Sequence, residues 1–112
     1  MIGRPLVTAC RGCCCGTEKK HPDVDHVALL DRLTAGLGAD ARVRTSDCLG
    51  PCEESNVVVV TPTRAARLLG ARAVWLRGVL DDAATDAVVE WVQAGGPGTP
   101  PPVGMSFPRP QD

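Results

Sequence analysis

Aromatic side chains are nearly missing from this chain of 112 residues, which has one Phe, two Trp and no Tyr. That excludes a platform of stacked rings for single-stranded nucleic acid. It also requires a core built from Val, Leu and Ala. Long basic runs are missing as well. The net charge is −1 and the pI about 6.1, so nothing neutralises a row of phosphates and no nucleic-acid partner is expected. No apolar stretch approaches the roughly 20 residues of a membrane-crossing helix, so no membrane partner is expected either. The opening residues, Met1-Ile2-Gly3-Arg4-Pro5, lack the charged-then-apolar pattern of an export signal, and the expected location is cytoplasmic. There is no phosphate loop, no Ser–His–Asp arrangement and no pair of carboxylates in a plausible cleft. A catalytic reaction of its own is therefore not expected.

Cysteine is what the chain has in excess. Six occur in two tight groups, Cys10-Arg11-Gly12-Cys13-Cys14-Cys15-Gly16 and Cys48-Leu49-Gly50-Pro51-Cys52. In a secreted protein an even number suits disulfides; in a reducing compartment cysteines serve more often as ligands or redox groups. Three in direct succession also fit disulfides poorly. Four soft thiolates drawn from two loops suit a zinc ion or an iron–sulfur centre. Adjacent side chains diverge, so Cys13, Cys14 and Cys15 cannot all face one centre. Pairing Cys10 with Cys13 gives the C-x2-C spacing of zinc knuckles. Pairing it with Cys15 gives C-x4-C, which also occurs in [2Fe–2S] loops. Cys48 and Cys52 supply C-x3-C on the other side. Gly12, Gly16 and Gly50 permit turns that aim backbone N–H groups at sulfur.

Between and after these groups the pattern is α/β. Residues 5–9 are β-compatible and lead directly into the first cysteine group. A helix is expected from His21-Pro22-Asp23 to Leu37, with Val27, Leu30, Leu33 and Leu37 near the helical period and Gly36 and Gly38 at its end. Residues 41–46 alternate as a half-exposed strand and lead into the second group. Val57-Val58-Val59-Val60 reads as a strand buried on both faces, stopped by Pro62. Residues 63–70 fit either one helical turn or an ordered loop. Residues 73–76 form a further strand. Asp81 or Asp82 caps a second main helix that runs to about Ala94, with an apolar face through Ala84, Val88, Trp91 and Val92. The domain is expected to span 1–95. Residues 96–112, with Pro100-Pro101-Pro102, read as an extended tail contributing little to the core.

Both cysteine groups follow a β segment. If those two strands are neighbours, their loops meet at one end of a sheet. Cys-Leu-Gly-Pro-Cys followed by an apolar strand resembles the Cys-Leu-Gly-Ala-Cys segment of the small [2Fe–2S] subunit of respiratory complex I. With C-x4-C upstream, between a first strand and a helix, the chain resembles the thioredoxin-like [2Fe–2S] ferredoxins over roughly residues 5–95. The resemblance implies a thioredoxin-like α/β fold with a mixed central sheet and two main helices, the cluster loops lying at one end of the sheet. It implies a ferredoxin active in electron transport, with a [2Fe–2S] cluster on Cys10, Cys15, Cys48 and Cys52. It also implies a redox protein partner and often a homodimer. Cys13 and Cys14 are extra thiols relative to that pattern, and Cys14 is the alternative to Cys15.

Other readings compete. Four thiolates also suit a structural zinc module without redox role. Cys10-Arg11-Gly12-Cys13 has the spacing of a thiol–disulfide oxidoreductase, but it does not stand at a helix N-terminus. His26 shares a helical face with Leu30, Leu33 and Leu37; it is either a partly buried, hydrogen-bonded side chain or a group that tunes a nearby centre. Arg11, Lys19 and Lys20 are solvated or add positive charge near the sulfurs. Asp47, Glu53 and Glu54 form an acidic rim that suits a basic reductase, or serve solubility. Trp75 and Trp91 are expected in the core.

Overall fold

Among the described residues the valine run forms the middle strand of a five-stranded mixed sheet, and residues 57–60 are all buried, as a strand covered on both faces requires. The computed structural model describes residues 4–11, 24–46 and 56–107. In chain order these form β1 (Leu6–Cys10), α1 (His26–Leu37), β2 (Arg42–Ser46), β3 (Val58–Thr61), α2 (Arg64–Leu68), β4 (Val74–Leu76), α3 (Asp82–Gln93) and β5 (Ser106–Phe107). The sheet order is β2-β1-β3-β4-β5. β1 runs parallel to β2, and the remaining neighbours are antiparallel. A parallel pair needs a crossover, and α1 lies in it.

α1 and α3 pack on each other and on one face of the sheet. Val7, Val58, Val60 and Leu76 point into that core from the strands; Leu33, Leu37, Val88 and Val92 meet them from the helices. Contact between the two helices is close at Gly36, where a Cβ would stand 3.1 Å from a methyl of Val89. The buried face of α1 is His26, Leu29, Leu33 and Leu37. This corrects the face expected from sequence: Val27 is 72% exposed and Leu30 only half-buried. Two leucines in succession leave the period ambiguous by one residue, and the fold buries Leu29 rather than Leu30. Trp91 belongs to the core, whereas Trp75 is half-buried on the opposite face, edge-on to Phe107 with ring centroids 6.1 Å apart.

Local signals set the helix ends. Asp25 accepts the N–H of Ala28 at 3.0 Å and caps α1; the expected start at 21–23 lies outside the described residues. Gly38, with φ of 51°, closes it and donates its N–H to Thr34 O. Thr63 caps the short α2, which settles 63–70 as one helical turn followed by a loop. Asp81 accepts the N–H of Ala84 at 2.7 Å and caps α3. Asp81→Ala should therefore lower unfolding free energy by about 1 kcal/mol, read as a shifted urea midpoint at unchanged slope.

Arg32 of α1 grips Asp86 of α3 with Nε and Nη2, each 2.7 Å from a carboxylate oxygen. Those hydrogen bonds hold the Asp86 carboxyl below its usual range. A depressed acid stabilises the fold above its unfolded pKa, and that contribution fades as pH falls through the folded value. Asp86→Asn should flatten the acid limb of the pH–stability curve slightly. The effect should shrink further in salt, because the pair is exposed to solvent.

No helix among the described residues is long and apolar enough to cross a membrane. Within the stretch read from sequence as a tail, β5 pairs with β4, Trp91 Nε1–H donates to Thr99 O at 3.3 Å, and Met105 packs against the core.

Candidate metal centre

β1 and β2 lie side by side in register, and their last residues are partners: Cys10 stands opposite Ser46. The next amide, Arg11 N–H, donates to Ser46 O at 2.9 Å. The points at which residues 12–23 and 47–55 are attached to the described strands are therefore one hydrogen bond apart. The described residues that follow the two segments are tied in close by. Cys10 N–H donates to Val57 O at 3.0 Å, immediately after the second segment, and Asn56 Nδ2 lies 2.9 Å from His26 Nδ1, shortly after the first.

Cys10 is 2% exposed. On the sheet face away from the main core it forms a small apolar cluster with Val57 and Val59, against which Trp75 and Phe107 pack. A thiol there has a dry wall on one side and the end of the sheet on the other. Arg11 folds back, and its Nη1 donates to Cys10 O at 2.8 Å, so a guanidinium stands one residue from the sulfur-bearing backbone. A depression of about 260 Å³ beside it is lined by Arg11, His26, Val27, Leu30 and Thr45.

Both long helices begin at this end. α1 starts beside Asn56, and α3 follows the end of β4, where Leu76 pairs with Val58. Their first turns line one surface depression through Asp25, Leu29, Leu80 and Asp81. Helix N-termini carry partial positive charge, which favours an anionic group nearby. The capping carboxylates of Asp25 and Asp81 offset part of it.

Of the expected ligands, Cys10 is described. Cys15, its alternative Cys14, Cys48 and Cys52 lie outside the described residues, as do Cys13, His21, Lys19, Lys20, Asp47, Glu53 and Glu54. Among the described residues no group of three or more His, Cys, Asp or Glu side chains is placed to hold a metal ion. His26 is 7% exposed and hydrogen-bonded, the first of its two sequence readings, and it stands at the cysteine end of the sheet. Its partner Asn56 was missed. The available signal was a polar residue abutting a fully buried valine run, where an amide must find a partner.

No family model, no characterised protein and no solved structure matches this chain. The functional reading therefore rests on the residues and their placement.

Proposed function

We propose that this chain is a one-electron carrier that holds a [2Fe–2S] cluster through Cys10, Cys15, Cys48 and Cys52, with a thioredoxin-like fold. The observation that carries the reading is the pairing of Cys10 with Ser46. It attaches the two cysteine-bearing segments to adjacent parallel strands at the same end of the sheet. Cys48 is two residues beyond Ser46, so the two groups of sulfurs start from neighbouring points. The fold supports the same reading. Its sheet places β1 between a parallel and an antiparallel neighbour, with both long helices on one face, and this resembles the thioredoxin-like arrangement.

The part of the donor set described here fits such a group. Cys10 offers a buried sulfur against aliphatic side chains, and thiolates are the ligands these clusters take. The bound cluster would accept and release one electron at a potential of about −400 mV for an all-thiolate site. The chain supplies the rest. Val57 and Val59 keep water from one side of Cys10, Arg11 sets positive charge near a site of net negative charge, and the helix N-termini add partial charge of the same sign. Electrons would enter and leave at this end of the sheet, where a redox protein partner would dock.

Anaerobic purification with iron, sulfide and zinc quantified per chain tests the proposal. The expected result is brown protein with about two irons and two sulfides, bleached by dithionite. Colourless protein carrying zinc alone would overturn it. Cys14→Ser and Cys15→Ser, made separately, identify the second ligand: loss of the centre is expected in Cys15→Ser.

A further inference from the structure

Asn56 has 0% exposure, yet it belongs to no strand or helix, and its side-chain nitrogen meets the ring of His26 at 2.9 Å. An amide nitrogen only donates, so His26 Nδ1 accepts and the neutral imidazole carries its proton on Nε2. The bond joins the described residues that come after the two cysteine segments: Asn56 follows the segment holding Cys48 and Cys52, and His26 opens the helix that follows the segment holding Cys15. The backbone at Asn56 is anchored on both sides of its peptide. Asn56 O accepts Val79 N–H at 3.1 Å, and the next carbonyl, Val57 O, accepts the N–H of Cys10. Any shift of Asn56 is therefore carried to the backbone of a candidate ligand. Two apolar side chains of similar size could fill this space without loss of stability. What the polar pair adds is direction.

We propose that His26 and Asn56 are a positioning pair that sets the reduction potential of the metal centre, by tying together the described residues to which the two cysteine segments are attached. This rests on the reading of the chain as a [2Fe–2S] carrier. Cluster potentials respond to hydrogen bonding and solvent access at the sulfurs, and both depend on how the ligand-bearing backbone is held. Neither residue need touch the cluster.

Two replacements of His26 separate the acceptor from the ring. In His26→Asn, Oδ1 takes the place of Nδ1 and still accepts from Asn56. In His26→Gln, a polar group reaches the Nε2 position and the Nδ1 acceptor is gone. Asn56→Ala removes the donor. The measurements are iron per chain, redox titration of the loaded protein, and thermal unfolding and imidazole ¹⁵N shifts of the apoprotein.

Wild-type apoprotein should show an unprotonated Nδ1. At equal iron content, His26→Gln and Asn56→Ala should change the reduction equilibrium roughly threefold or more, about 28 mV for a one-electron couple, while His26→Asn stays closer to wild type. Iron lost from His26→Gln but kept by His26→Asn supports the same conclusion. Unchanged potentials with a lowered melting temperature would reduce the pair to a structural role and overturn the proposal. So would His26→Asn behaving like His26→Gln, or a protonated Nδ1. Iron-free wild type would instead defeat the reading of the centre, a result seen before any variant is compared.

Discussion

Serine in place of Cys10 should leave the chain folded and strip it of most of its iron. The two effects separate because Cys10 is both a proposed ligand and a buried residue. As a ligand it supplies one of four thiolates. Removing an outer-shell partner already costs about 10- to 100-fold in metal affinity, and losing a ligand should exceed that. As a buried residue it sits against Val57 and Val59 at 2% exposure, where a hydroxyl in place of sulfur costs about 1–3 kcal/mol. Iron per chain reads the first effect, and chemical denaturation of the apoprotein reads the second. A fully loaded Cys10→Ser protein would remove Cys10 from the donor set. The centre would then have to be built without the strand pairing that motivates it.

Leu33→Ala should be the most damaging change in the scaffold, lowering unfolding free energy by about 3 kcal/mol. Leu33 is 2% exposed, on α1, in the same cluster as Val7, Val58, Val60 and Val88. The loss combines the burial of its methyl groups with the cavity left among strands and helices that cannot collapse to fill it. Against a total of about 5–15 kcal/mol, this should lower the melting temperature by on the order of 10–20 °C. Val27→Ala is the matched control. Val27 belongs to the helical face expected from sequence but is exposed, so its truncation should stay within about 0.5 kcal/mol. Equal losses at 27 and 33 would mean that α1 is rotated from the orientation described.

The comparison of these two residues shows where sequence reading reached its limit. That α1 exists, and that it ends near Gly38, is written in its period and in the glycines at 36 and 38, and Gly38 indeed adopts φ of 51°. Which of Leu29 and Leu30 turns inward is not, because both satisfy a period of 3.6 and only the seating of the whole helix in the fold buries Leu29. The site divides in the same way. Cysteine spacing marked two candidate segments, the resemblance to thioredoxin-like [2Fe–2S] ferredoxins implied Cys10, Cys15, Cys48 and Cys52, and the β character of the residues before each group suggested a shared sheet end. That β1 and β2 are adjacent, parallel and in register at Cys10 and Ser46 is a matter of strand pairing. The bond from His26 to Asn56 joins residues 30 apart in sequence, and no short-range pattern announces it.

The sequence by itself determined the α/β alternation, the strand character of the valine run, an aspartate cap at 81 or 82 for the second main helix, and cysteines grouped after two β segments. These are local properties. They follow from side-chain period, β-branching, capping chemistry and ligand type, each expressed within a few neighbouring residues. Tertiary structure alone decided the order β2-β1-β3-β4-β5, the return of Ser106 and Phe107 as a fifth strand, the inward face of α1 and the partner of His26. Those features depend on which distant surfaces bury one another, a choice made by the free energy of the whole packed chain rather than by any one segment.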